Sequence, residues 1–293
     1  MHAAVAVVSW NTRELLRACL ESLRADHDAG RAEVWVVDNG SADGSPALVR
    51  DAFPWVRLVE PGANLGFGAA VNLVAERSTA PWLAPANADV ALEPGALERL
   101  LATGAEHPRA GAVAPRLVLP GGATQHSVYA FPTVPFTVVH NLGLARVVPG
   151  LGDRLCLLGA WDPERPRWVD WAVAAFLLVR RDAWDAAGGF DPAQWMYAED
   201  LDLGWRLARA GWRTRYEPRA RVRHTESAAT RQAWGDDGTR RRQAATYDWM
   251  LRRRGRARTR AAALVNVAGA RVRGQTWWAQ LHASTGLRRR PDA

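Results

Sequence analysis

The chain has no lysine and no isoleucine, so all 38 of its basic residues are arginine. That bias reflects a GC-rich coding sequence and carries no chemistry of its own. Cysteine is nearly absent. Cys19 and Cys156 alone cannot build a disulfide framework, which excludes the small stapled folds and fits a reducing, cytoplasmic setting. Long hydrophobic runs are missing too. The longest, Trp171–Val179, is closed off by Arg180 and Arg181. It has about half the length needed to cross a bilayer and reads as a buried strand. The strand-like opening run Val5–Trp10 has no basic flank ahead of it, which argues against a secretory signal. Acids thin out after Arg240, where Arg240–Arg242, Arg252–Arg254, Arg256, Arg258, Arg260 and Arg288–Arg290 concentrate the +8 net charge. Such a tail is drawn to anionic surfaces. Trp277 and Trp278 suit the boundary between headgroups and tails, which turns the reading toward the inner face of a membrane and away from nucleic acid.

What is present is 293 residues with 48% hydrophobic content, enough for one large domain and an extension. The first hundred residues alternate apolar runs with amphipathic stretches. Val5–Ser9, Val34–Val37, Val56–Glu60 and Trp82–Pro85 read as strands; Arg13–Arg24, Pro46–Ala52 and Ala69–Arg77 read as helices. This alternation predicts an α/β, Rossmann-like, doubly wound and mostly parallel sheet. The boundaries follow composition: a catalytic-type domain over 1–234, with a Gly- and Pro-rich excursion at 114–168, then a basic helical extension over 235–293.

In doubly wound sheets, ligands bind beyond the carboxyl ends of the strands. Polar clusters fall at those ends here. Asp38 closes the second strand before a turn dense in Gly and Ser, where a carboxylate can accept the imide N–H of uracil or thymine. Asn64-Leu65-Gly66-Phe67-Gly68 precedes a helix, and its backbone N–H groups suit a phosphate. Asn87-Ala88-Asp89 follows a buried strand. Asp89 there could reach a divalent cation, with Asn87 near a ribose. Taken singly, each is also ordinary turn composition. Tyr197-Ala198-Glu199-Asp200-Leu201-Asp202 sets three acids at a helix start. Helix N-termini favour acids in any case, and Asp202 can pair with Arg206. The dipole also favours an ionised Asp200, as a general base requires. His224 could complete a metal site. A dinucleotide-dependent oxidoreductase would need G-x-G-x-x-G after the first strand, where Trp10-Asn11-Thr12 stands instead.

As an ordered set, Val8-Ser9-Trp10-Asn11, Val37-Asp38-Asn39-Gly40-Ser41, Asn64–Gly68 with Asn72, Asn87-Ala88-Asp89, Gly188-Gly189-Phe190-Asp191, Glu199–Leu203 and His224 resembles the family 2 glycosyltransferases of the GT-A fold, over roughly residues 3–230. In pattern it looks most like bacterial rhamnosyltransferases, such as those that act on a polyprenyl-diphosphate-linked GlcNAc in mycobacteria. Galactofuranosyltransferases look similar. The resemblance implies an inverting transfer from a nucleotide diphosphate sugar, most simply dTDP-rhamnose, to a glycan or polyprenyl-linked saccharide in cell-envelope synthesis. A catalytically inactive nucleotide-sugar-binding domain stays as an alternative. By position it implies Asp200 as base, with Glu199 and Asp202 supporting the acceptor pocket. Ser9, Asn11, Asp38, Asn64, Gly66, Asn72 and Asn87 fall at the donor, and Asp89 and His224 at Mg²⁺ or Mn²⁺. Two departures stand out: Asn87-Ala88-Asp89 offers the metal a single carboxylate, and Ala174-Ala175 replaces the usual Gly-Ala pair ahead of Leu178-Val179-Arg180-Arg181.

Overall fold

The computed structural model describes residues 1–225 and 237–287, so Arg288–Arg290 of the basic tail lie outside the described residues. The chain divides into two compact units. One comprises Met1–Val128 and the stretch from Pro163 onward; the other comprises Tyr129–Asp162 and the C-terminal helices.

The first unit opens with β1 (Ala3–Ser9), α1 (Arg13–Asp28), β2 (Ala32–Asp38), α2 (Ser45–Ala52), β3 (Arg57–Val59), α3 (Phe67–Arg77) and β4 (Trp82–Asn87). These strands pair in parallel in the order β3-β2-β1-β4, with Ser9 opposite Asp38 and Val8 opposite Asn87. Three polar strand ends are thus brought to one edge. The apolar positions of α1 recur at helical spacing, and Leu16, Cys19, Leu20 and Leu23 are buried in one core cluster with Ala3, Val5 and Val7 of β1. Each such leucine contributes about 1.5–3 kcal/mol by leaving water.

The chain continues through β5 (Val90–Leu92), α4 (Ala96–Glu106), β6 (Ala110–Val118) and β7 (Val128–Tyr129). Helices α5 (Val134–Asn141) and α6 (Leu151–Arg154) belong to the second unit. The first unit then resumes with β8 (Arg167–Val169), β9 (Trp171–Ala172), β10 (Leu178–Arg180), α7 (Arg181–Ala187), α8 (Glu199–Arg209) and β11 (Arg213–His224). The sheet is parallel only in its first half. β10 enters between β4 and β6, antiparallel to both, and β11 runs parallel to β6 but antiparallel to β5 and β8. The apolar run Trp171–Val179 is accordingly not one strand. Its start, β9, belongs to a separate two-stranded sheet, and the run joins the main sheet beside β4 through Ala175, the Ala86–Phe176 bridge and β10.

In the second unit, α9 (Gly238–Arg254), α10 (Arg256–Val272) and α11 (Thr276–Gly286) pack with α5. Thr133 caps α5 through Phe136 N–H at 3.2 Å. Tyr247, Trp249 and Met250 are buried. A polar chain runs from Arg273 through Asn141 and Asn266 to Tyr247, whose hydroxyl meets His282 Nδ1 at 3.0 Å. Burial and the charge of Arg273 push the His282 imidazole down to about 4, so it remains neutral in that chain. Leu264, Val272, Trp277 and Trp278 are exposed. Among the described residues no helix is long and apolar enough to cross a membrane.

Candidate active site

The site lies where β1, β2 and β4 end and α8 begins. Ser9 is buried at the end of β1, its hydroxyl 3.2 Å from that of Thr12. Asn11 takes a left-handed conformation (φ 51°) and braces the neighbouring loop. Its backbone N–H donates to Ser41 Oγ, and its Oδ1 accepts from Ala42 N–H at 2.7 Å. Asp38 is buried. Its Oδ1 accepts the backbone N–H groups of Gly40 (3.1 Å) and Ser41 (2.7 Å), while Oδ2 is buried without a hydrogen-bond partner in the protein. A carboxylate oxygen held in that state suits a ligand donor.

Gly66 caps α3 at φ +80°. Asn64 Oδ1 accepts its N–H at 2.9 Å, and Asn39 Nδ2 donates to its carbonyl at 3.3 Å. A Cβ on Gly66 would come within 2.4 Å of the Trp195 carbonyl oxygen, so only glycine lets the loop ahead of α8 pass this close. Asn64 thus shapes the phosphate-type loop through its own side chain. Asn72, expected at the donor, has its amide donate to Phe190 O (2.9 Å) and accept from Phe190 N–H (3.0 Å), which clamps the Gly188-Gly189-Phe190 turn.

Asn87 ends β4, and its backbone N–H donates to Ala175 O at 2.9 Å. Asp89 stands two residues on, at the head of β5. Because β5 pairs with β11 with Val90 opposite His224, the ladder sets His224 beside Asp89: Nε2 lies 3.2 Å from Asp89 Oδ1, with both side chains buried. His224 Nδ1 meets Gln125 Oε1 at 2.7 Å. Beneath them, Cys19 is fully buried and its Sγ lies 4.0 Å from Asn87 O. Burial, and next the charge of Asp89, push its thiol up to about 12. Among the described residues no cluster of three or more His, Cys, Asp or Glu side chains is placed to hold an ion. Any metal here would have Asp89 and His224 as its protein ligands.

Tyr197 and Ala198 both take φ 62°, a left-handed pair of non-glycine residues that turns the chain into α8. Backbone strain of this kind collects at functional sites. Asp200 follows at once. Its Oδ1 accepts Leu201 N–H at 2.7 Å and its Oδ2 accepts Ala174 N–H at 3.4 Å. Glu199 is half-buried as a residue, but its Oε2 is sealed and makes no hydrogen bond. Burial, and next the charge of Asp200, raise its carboxyl to about 8, so it is protonated at neutral pH. Asp202 points the other way. It is fully buried and accepts Arg206 Nε–H at 2.7 Å, the ion pair that the i,i+4 spacing allowed, where the resemblance implied a place in the acceptor pocket. The sequence reading missed Gln125, the left-handed Tyr197-Ala198 pair and Trp195 over Gly66. Only the strained pair sits within a quoted motif, and nothing in its residue types signals φ > 0.

The model for "Glycosyl transferase family 2" matches residues 4–131, and that for "Glycosyltransferase like family 2" matches residues 167–246. An N-acetylglucosaminyl-diphospho-decaprenol L-rhamnosyltransferase of Mycobacterium tuberculosis is 37% identical over 212 residues, 67% of each chain. A pre-mycofactocin glycosyltransferase of the same species is 32% identical over 219 residues, covering 73% of this chain and 40% of that one. Among solved structures, a Pyrobaculum calidifontis mannosyltransferase in complex with GDP-Man and Mn²⁺ superposes with a TM-score of 0.59 over 97% of this chain and 73% of its own, at 18% identity.

Proposed function

We propose that this chain, which belongs to glycosyl transferase family 2 and is a glycosyltransferase of the GT-A fold, transfers L-rhamnose from dTDP-rhamnose to a polyprenyl-diphosphate-linked saccharide, with inversion at the anomeric carbon. One observation carries the reading. Ala174 N–H bonds Asp200, and Ala175 O accepts Asn87 N–H, so two residues join the start of the α8 acid cluster to the strand end that leads to Asp89. That link supports a reading in which the base and the leaving group share one frame.

In that frame Asp200 takes the proton of the acceptor hydroxyl as its oxygen bonds to the anomeric carbon. The bond from that carbon to the diphosphate oxygen breaks, and its electron pair leaves with the nucleoside diphosphate. Asp38 Oδ2 accepts the thymine imide N–H. Ser9, Asn11 and Asn87 line the nucleoside, and the Gly66 loop meets the phosphates with its backbone N–H groups.

A carboxylate and an imidazole, buried and 3.2 Å apart, fit a cation that draws its remaining ligands from phosphate and water. Nitrogen suits Mn²⁺ better than Mg²⁺, which prefers oxygen. Asp89 and His224 would hold such an ion, and it would supply positive charge against a diphosphate leaving group.

The acceptor is membrane-borne in this reading, and the exposed Trp277, Trp278, Leu264 and Val272 on the arginine-rich second unit seat it peripherally at the inner leaflet. The test is a panel of dTDP-rhamnose, UDP-galactofuranose and UDP-hexoses against the full chain, reading thermal protection and transfer to a short polyprenyl-diphosphate-GlcNAc. Protection and transfer with dTDP-rhamnose above the others are expected; preference for a UDP-sugar overturns the rhamnosyl assignment.

A further inference from the structure

Gln125 lies outside every motif quoted above, yet its side chain is buried and reaches the imidazole of His224. A short path brings it there. β6 runs beside β11, with Val118 opposite Arg223. The chain then turns at Pro120-Gly121-Gly122, where Gly122 N–H donates to Leu119 O at 2.8 Å and Leu119 N–H to Ala123 O at 2.9 Å. Gly122 sits at φ +82°, which glycine adopts without strain. On the return, Thr124 bridges Val118, and Gln125 N–H donates to Leu117 O at 2.9 Å. Gln125 is thereby fixed at the end of β11, where His224 stands.

A neutral imidazole carries one ring proton, and the partner on one nitrogen decides what the other offers. With Gln125 Oε1 as acceptor at 2.7 Å, the proton sits on Nδ1 and Nε2 keeps its lone pair. Nε2 is buried, makes no hydrogen bond, and lies 3.2 Å from Asp89 Oδ1. A lone pair facing a carboxylate oxygen is an arrangement that a cation stabilises. Were the Gln125 amide turned about, its Nε2–H would donate to His224 Nδ1. The ring proton would then move to His224 Nε2, and His224 would donate to Asp89 as a closed pair with nothing to offer an ion.

We propose that Gln125 is a positioning residue of the metal site. By accepting the Nδ1–H of His224 it holds the tautomer whose Nε2 ligates a divalent cation together with Asp89. The proposal rests on the metal reading of Asp89 and His224, and its test separates the two.

Full-length protein with ¹⁵N-labelled histidine is compared by NMR without metal as wild type, Gln125→Glu and Gln125→Leu. Mn²⁺ affinity is measured on the same samples by titration calorimetry. Glutamate can only accept when ionised, so Gln125→Glu should keep the wild-type tautomer, with Nδ1 protonated, and bind Mn²⁺ at least as well. Leucine removes the acceptor. Gln125→Leu should move the proton toward Nε2 and weaken Mn²⁺ binding roughly 10- to 100-fold. Wild-type protein with Nε2 protonated overturns the proposal without any variant, even if Gln125→Leu fails to fold. Gln125→Leu with unchanged tautomer and Mn²⁺ affinity overturns it while leaving the metal reading intact. Wild-type protein in the expected tautomer that binds no Mn²⁺ overturns both.

Discussion

The carboxylate of Asp202 is closed off from solvent and accepts the Nε–H of Arg206 at 2.7 Å, one helical turn further along α8. Removing one partner of such a pair leaves an uncompensated charge and costs about 3–5 kcal/mol. Arg206 is 17% exposed, which puts Asp202→Ala at the lower end. Urea unfolding should show that loss, and Asp202→Leu with Arg206→Met should recover most of it. A melting midpoint unchanged in Asp202→Ala would mean the pair contributes nothing.

Asp38 has one carboxylate oxygen satisfied by the Gly40 and Ser41 N–H groups and one buried without a hydrogen-bond partner, which the proposal gives to the base. In Asp38→Asn the same turn can hold the amide oxygen, which leaves the NH₂ group facing the imide N–H of the base. Loss of a charge-assisted bond is worth about 1.5–3 kcal/mol, roughly 10- to 100-fold in donor affinity. Calorimetry with dTDP or UDP reads this directly; affinity within twofold of wild type removes Asp38 from the base site.

Asp200→Asn keeps the shape and the acceptor for Leu201 N–H but cannot take a proton. Transfer should fall about 10²–10⁴-fold while donor affinity stays within a few fold. Near-normal turnover would take Asp200 out of the mechanism.

Glu199 gives a pH signature. Burial raises its carboxyl from 4.5 to about 8 in the folded protein. The folded chain therefore holds a proton that the unfolded chain releases. The resulting stability is whole below pH 4.5 and is lost as pH rises toward 8. Glu199→Gln imitates the neutral acid at every pH. Its melting temperature relative to wild type should climb between pH 5 and 8 and then level off. A difference that stays flat with pH would mean Glu199 titrates as an ordinary surface acid.

Trp277→Ser with Trp278→Ser alters two exposed rings and leaves the first unit untouched. Binding of the full chain to anionic vesicles should drop several-fold, and donor binding should persist. Wild-type protein that ignores such vesicles at low salt contradicts the membrane assignment itself.

Much of the first half was legible because its signals are local. An apolar run that stops at Asp38 or Asn87 is a buried strand meeting a polar edge, and both the run and the stop lie within a few residues. The acids of α8 were harder. Glu199, Asp200 and Asp202 look alike in sequence, but a helix turns about 100° per residue. Asp200 and Asp202 therefore face nearly opposite ways, one to Ala174 and the other into the core against Arg206. The clamp made by Asn72 was hidden for a similar reason. Its partner Phe190 is 118 residues away, and no periodicity reports a contact of that span. Gln125 depends on a turn that folds the chain back along β6, so only the register of β6 against β11 reveals it. The antiparallel entry of β10 was hidden within an apolar run whose composition suits either direction.

That entry has a consequence for synthesis. β4 and β6 are both made before Leu178, yet neither is a neighbour of the other, and the three residues of β10 alone fill the gap between them. From Asn87 to Leu178 a ribosome needs roughly 5–20 s. During that interval β4 and β6 each present an unpaired strand edge of the kind that recruits foreign strands. The nascent chain thus keeps this edge of β4 open until Leu178-Val179-Arg180 emerges.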